Sequence, residues 1–97
     1  MTTEHVPGRN AGPVTLYALS TCGWCRKTRQ LLDQLGVAYD YEYVDLVHGV
    51  ERTAVMDLVH RWNHEGSFPT LVINNRAIVG FRENEIRGAL KPREENR

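Results

Sequence analysis

Two cysteines stand three residues apart in Cys22-Gly23-Trp24-Cys25, and they are the whole cysteine content of the chain. On the first turn of a helix, positions i and i+3 share a side and lie within disulfide reach. Such a pair can cycle between dithiol and disulfide. Cys22 falls where first-turn backbone N–H groups are unpaired and the helix dipole is positive, which favours a thiolate. Arg26 and Lys27 follow within a turn and add a weaker pull. Cys25, a turn deeper, is expected to be less exposed and to keep its proton until it attacks. The pattern thus predicts Cys22 as the nucleophile toward a target disulfide and Cys25 as the resolving thiol.

A rival chemistry uses the same residues. C-x-x-C is also half of a zinc site, and His60-x-x-x-His64 has the spacing of the other half. The linker between the halves is far longer than the dozen or so residues of a zinc finger. The two histidines also fall on the polar face of a helix, so a metal site is not expected. His5 and His48 read as lone, solvated side chains. A further candidate is Ser67-Phe68-Pro69-Thr70. Proline before a strand fixes its own φ and cannot donate to the ladder. Read as trans, Pro69 marks a strand start; read as cis, it turns the Phe68 backbone toward an incoming peptide.

The elements that must position these residues are short. Val14-Thr-Leu-Tyr-Ala-Leu19 is apolar on both faces and suits an internal strand. Ser20 and Thr21 offer N-cap hydroxyls for a helix beginning near Cys22. That helix carries Leu31, Leu32 and Leu35, with Gly36 placed as its C′ residue. Tyr39-Asp-Tyr-Glu-Tyr43 alternates with period two, and its acidic face predicts a strand near a sheet edge. Val55, Leu58, Val59 and Trp62 make the apolar stripe of a second helix. Thr70–Ile73 and Ala77–Val79 flank Asn74-Asn75-Arg76, which predicts a hairpin, because Asn tolerates positive φ. Glu83–Leu90 closes the chain as a helix. The expected order is βαβ-α-ββ-α, an α/β fold with a four-stranded mixed sheet flanked by helices. Residues 1–13 read as a flexible N-terminal tail, 14–90 as the single domain, and 91–97 as a flexible C-terminal tail.

Composition fits one small domain. The 97 residues are 41% hydrophobic and 25% charged, globular values that exclude wholesale disorder. Twelve basic residues balance twelve acidic ones, which argues against nucleic acid or an acidic membrane held by bulk charge. No apolar run is long enough to span a bilayer. The first residues lack the apolar stretch of a signal peptide, so a cytoplasmic monomer is the expectation.

A strand, C-x-x-C at a helix start and Phe68-Pro69-Thr70 before a hairpin together resemble a glutaredoxin, a branch of the thioredoxin fold, across nearly all of 14–90. The resemblance implies a dithiol–disulfide oxidoreductase acting on protein disulfides or mixed disulfides with glutathione. It implies no tightly bound cofactor, and glutathione as reductant. It makes Cys22 the nucleophile, Cys25 the resolving cysteine, Pro69 a cis proline facing them and Phe68 the substrate-pairing backbone. Thr21, Trp24, Gly80, Phe81 and Arg82 complete the expected substrate surface, with the Trp24 indole as a groove wall or a shield for the disulfide. The family's Pro-Tyr between the cysteines is Gly23-Trp24 here, and its glutathione-pairing lysine is Leu19. Its Gly-Gly and downstream Asp become Gly80-Phe81-Arg82-Glu83. Arg82 offers a bidentate partner for a carboxylate. That turn resembles the ribonucleotide-reductase-linked redoxins, which take electrons from thioredoxin reductase, so either donor fits. The alternative function is a scaffold for an iron–sulfur cluster or zinc on the same cysteines.

Overall fold

The computed structural model describes residues 3–91, and the expected C-terminal tail lies outside them beyond Lys91. Five strands form one sheet: β1 (Glu4–Val6), β2 (Val14–Ala18), β3 (Tyr39–Tyr43), β4 (Thr70–Ile73) and β5 (Arg76–Val79), in the order β1-β3-β2-β4-β5. Helices α1 (Gly23–Leu35), α2 (Gly49–Trp62) and α3 (Glu83–Leu90) and a 3-10 turn (Val44–Leu46) complete the described residues. β2 and β3 run parallel through the α1 crossover, and β4 is antiparallel to both β2 and β5.

The expected sheet of four strands is thus corrected to five. β1 comes from the segment read as a loose tail and pairs antiparallel with β3, Glu4 opposite Tyr41 and Val6 opposite Tyr39. Three residues with two polar side chains carry no period, so the strand is set by its partner's open edge rather than by its own sequence. The lead-in continues to hold on: Arg9 N–H donates to Gly36 O at 2.7 Å, Ala38 N–H to Arg9 O at 2.8 Å, and Arg9 Nη2 to Leu90 O at 2.6 Å.

This sets the place of β3, which is near the edge as expected but second from it, with β1 outside. Its acidic face is satisfied there. Buried Glu42 accepts a 2.6 Å hydrogen bond from Thr3 Oγ1, and Asp40 pairs with His5 Nδ1 at 2.7 Å. His5 is therefore a hydrogen-bond partner of Asp40 and not a lone side chain. The alternate residues Tyr41 and Tyr43 meet edge-on at 5.3 Å.

The core gathers Leu16, Ala18, Leu32, Tyr39, Leu71, Ile86 and Leu90, all at most 1% exposed. Each fully buried leucine contributes about 1.5–3 kcal/mol of transfer energy. All four residues of β4 are buried, as befits a strand covered on both faces. α1 and α3 pack together, while α2 touches β4 and the 3-10 turn. The predicted α2 stripe is only partly realised. Val59 is fully buried, but Leu58 stays 39% exposed, because the helix lies at the periphery and presents a narrow strip. At the ends of α1 and of the hairpin the backbone does what the residues allow. Gly36 caps α1 at φ 69°, donating to Leu32 O and Asp33 O, and Asn74 takes φ 56° in the hairpin turn.

Candidate active site

Four segments are linked around the C-x-x-C: the β2–α1 junction carries it, the 3-10 turn after β3 bonds to Ser20, the turn after β5 stacks on Trp24, and the loop before β4 bonds to that turn. The N-cap of α1 is Cys22 itself, with extended φ and ψ of −93° and 120°. Its Sγ accepts the Cys25 N–H at 3.2 Å, the place the sequence gives to the Ser20 or Thr21 hydroxyl. Thr21 is instead an exposed turn residue. Cys22 is half-buried and Cys25 buried, both as free thiols. Burial is the chief force pushing the Cys25 thiol up to about 12, and its hydrogen bond to the Cys22 side chain adds to that. Below Cys25, Thr28 is fully buried and spends its hydroxyl on Trp24 O at 2.8 Å, leaving the apolar stripe of α1 clean.

The loop before β4 is pinned from inside. Asn63, 8% exposed, directs Nδ2 at Ser67 O, Ser67 Oγ and Thr70 Oγ1, at 3.0, 3.1 and 3.1 Å. Thr70 Oγ1 in turn donates to Ser67 O at 2.7 Å. Between these anchors the Phe68–Pro69 peptide bond is cis, with Phe68 half-buried against the core and Pro69 buried. Pro69 O accepts the Gly80 N–H at 2.9 Å, which fastens the turn after β5 to this loop. Gly80 sits at φ 84°, the left-handed region that glycine enters freely.

Phe81 then stacks on Trp24, with centroids 5.8 Å apart and planes at 23°, and closes the ring of segments back onto α1. Trp24 is 59% exposed, so the pair presents an aromatic ledge to solvent, with Lys27 Nζ 5.8 Å from the indole centroid. Arg82 does not join it. Its exposed side chain donates from Nε to Val79 O at 3.1 Å and approaches Glu85 at 3.9 Å.

On the other flank of Cys22 a cavity of about 150 Å³ opens between Leu19, Arg26, Arg29 and Tyr43. Arg29 is fixed there by bonds to the Tyr39 and Tyr43 hydroxyls at 3.2 and 3.1 Å, with its guanidinium 4.0 Å from the Tyr41 ring centroid. Sequence reasoning passed over Arg29, Asn63 and Asp45. Only Asp45 carried a readable hint, as a lone acid just after a strand.

Among the described residues no three His, Cys, Asp or Glu side chains converge as metal ligands. Cys22, Cys25, His60 and His64 therefore do not assemble, and His60 Nδ1 lies 3.1 Å from the His64 carbonyl. The chemistry this arrangement holds is that of a vicinal dithiol, one sulfur reachable and the other buried.

Comparison with known proteins gives the family. The glutaredoxin family model matches residues 14–78. A glutaredoxin from Methanosarcina mazei Go1 is 49% identical, with a TM-score of 0.86, covering 94% of this chain and 89% of that one. The methanoredoxin of Methanosarcina acetivorans is 46% identical, with a TM-score of 0.84, covering 87% and 90%. Glutaredoxin-C1 of Arabidopsis thaliana is 26% identical over 86 residues, covering 86% of this chain and 67% of its own length. The fold is thioredoxin-like, and the family's general activity is thiol–disulfide oxidoreduction. On these grounds the chain belongs to the glutaredoxin family.

Proposed function

We propose that the protein reduces disulfides by dithiol exchange through Cys22 and Cys25. The observation that carries this reading is the asymmetry of the pair. Cys22 Sγ sits half-buried at the helix N-cap, where the Cys25 N–H donates to it, while the Cys25 thiol is buried and held protonated. Cys22, as thiolate, attacks one sulfur of the target disulfide, forms a mixed disulfide and expels the other sulfur as a thiolate. The Cys25 thiol gives up its proton and attacks Cys22 Sγ. An intramolecular disulfide forms, and the second substrate thiolate leaves. Two electrons from a reductant then restore both thiols.

The Trp24–Phe81 ledge and the Phe68 backbone flank the substrate in this reading, with Thr21, Pro69 and Gly80 shaping the groove between them. Targets are disulfide-bearing proteins or their mixed disulfides with glutathione, met in a reducing cytoplasm where a dithiol persists. Arg82, turned to Val79 O and Glu85, is available only at the groove's margin. The electron donor is glutathione or a thioredoxin reductase.

The test is NADPH-coupled reduction of a protein disulfide, run once with glutathione and its reductase and once with thioredoxin reductase. Turnover with one of the two, abolished in Cys22→Ser, is the expected result. No turnover with either donor overturns the proposal.

A further inference from the structure

Asp45, in the 3-10 turn that follows β3, lies outside the cysteine motif and outside the segments expected to bind substrate. Its carboxylate closes a two-point clamp on one residue: Oδ1 accepts the Ser20 N–H at 2.8 Å, and Oδ2 accepts the Ser20 hydroxyl at 2.6 Å. Hydrogen bonds to an ionised carboxylate are roughly twice as strong as neutral ones. Consistent with this, the Ser20 hydroxyl and backbone hold the Asp45 carboxyl below its ordinary range.

What the clamp holds is the strand-to-helix junction. Leu19, directly before Ser20, serves the N-cap cysteine through its backbone. Its carbonyl accepts the Cys22 N–H at 3.2 Å, and Cys22 Sγ in turn accepts the Cys25 N–H at 3.2 Å. A side chain from a different element thereby fixes the dipeptide that leads into the N-cap cysteine. Without it, Leu19-Ser20 would be a two-residue link between the end of β2 and the N-cap, free to reorient.

We propose that Asp45 is a positioning residue for the dithiol, acting through Ser20 to hold the Leu19 carbonyl on the Cys22 N–H and so the N-cap that joins Cys22 Sγ to the Cys25 N–H. This rests on the Cys22–Cys25 reading above. The clamp is present with both cysteines as free thiols, so its loss is expected to weaken that form and shift the pair toward the disulfide.

The experiment uses the full chain in glutathione redox buffers and measures the equilibrium constant for closing the Cys22–Cys25 disulfide, alongside the urea midpoint of each variant. Asp45→Ala removes both hydrogen bonds. Asp45→Asn removes the charge but keeps the clamp, since its oxygen accepts from Ser20 N–H and its amide donates to Ser20 Oγ. Ser20→Ala removes the hydroxyl arm alone and serves as the test should Asp45→Ala fail to fold. The expected shift toward disulfide is about five- to tenfold for Asp45→Ala, from the lost bonds, and about threefold for Ser20→Ala and for Asp45→Asn, whose neutral bonds are about half as strong. Wild-type equilibrium constants in folded Asp45→Ala and Ser20→Ala overturn the proposal. So does an Asp45→Asn shift as large as that of Asp45→Ala, which would assign the effect to charge. A wild-type chain that closes no disulfide instead removes the dithiol reading itself, and the Asp45 role with it.

Discussion

The Cys25 backbone N–H donates to Cys22 Sγ across 3.2 Å, so the reachable sulfur is the N-cap of the helix that buries its partner. One short piece of backbone therefore does two jobs. It starts a helix, and it aims a hydrogen-bond donor at the atom that must carry negative charge. Cys25, three residues on, is only 1% exposed and enters the core with Leu31 and Leu32. The difference between the two thiols follows from their places on a single turn.

Burial of Cys25 makes stability depend on alkaline pH. Its thiol ionises near the ordinary 9.0 in the unfolded chain and is pushed up to about 12 in the fold, first by burial. Between those values the unfolded state has released a proton that the folded state keeps, so stability falls as pH rises through that window. Below pH 9 the contribution is complete. The urea midpoint of the reduced protein should fall more steeply between pH 9 and 12 than that of Cys25→Ser. Equal slopes would show that Cys25 is not held protonated.

Asn63 should matter more than its distance in sequence from the cysteines suggests. Its amide nitrogen faces three acceptors on Ser67 and Thr70, either side of Phe68-Pro69. Asn63→Ala removes that donor from all three and leaves Ser67 O with only the Thr70 hydroxyl. The expected cost is about 1–3 kcal/mol in urea unfolding, with slower disulfide reduction. A loss under about 0.5 kcal/mol, the range of ordinary surface changes, would mean that the loop holds itself.

How much of this was legible beforehand depended on whether the residues concerned signal locally. The cysteine pair, the Gly36 cap and the Asn74 turn each announce themselves through one residue type with one conformational or chemical property. β1 does not. Glu4-His5-Val6 takes its structure from the open edge of β3, a tertiary fact. That same fact sets Tyr39–Tyr43 one place in from the edge, near which its acidic residues suggested it. The apolar stripe of α2 was readable, but how much of it would be covered was not, because periodicity gives a face and not the width of its partner. Around the site, Trp24 and Phe81 were both singled out, yet their stacking across 57 residues of sequence is a product of the fold. Asp45 and Asn63 act only through hydrogen bonds to other segments, and no spacing rule detects those.

The N-terminal lead-in offers a control far from the chemistry. A Cβ at Gly8 would stand 2.6 Å from Gly36 O and from the Val37 carbonyl carbon, both backbone atoms that cannot swing aside. Gly8→Ala should therefore lower stability by about 1–3 kcal/mol, the usual penalty of forced overpacking. Gly36 caps the far end of α1 from Cys22, about 20 Å away along a helix of 13 residues. The dithiol–disulfide equilibrium should consequently match wild type. A changed equilibrium would show that the lead-in and the redox site are coupled.

The most direct test of the central claim is capture of the exchange intermediate. Reduced Cys25→Ser and Cys22→Ser proteins are each mixed with a disulfide-bonded protein substrate, quenched in acid and mapped by mass spectrometry. Cys25→Ser should accumulate a mixed disulfide on Cys22, because the thiol that would release it is gone, and Cys22→Ser should accumulate none. An adduct on Cys25 in Cys22→Ser, or no adduct in Cys25→Ser, would contradict the assignment of attack to Cys22 and resolution to Cys25.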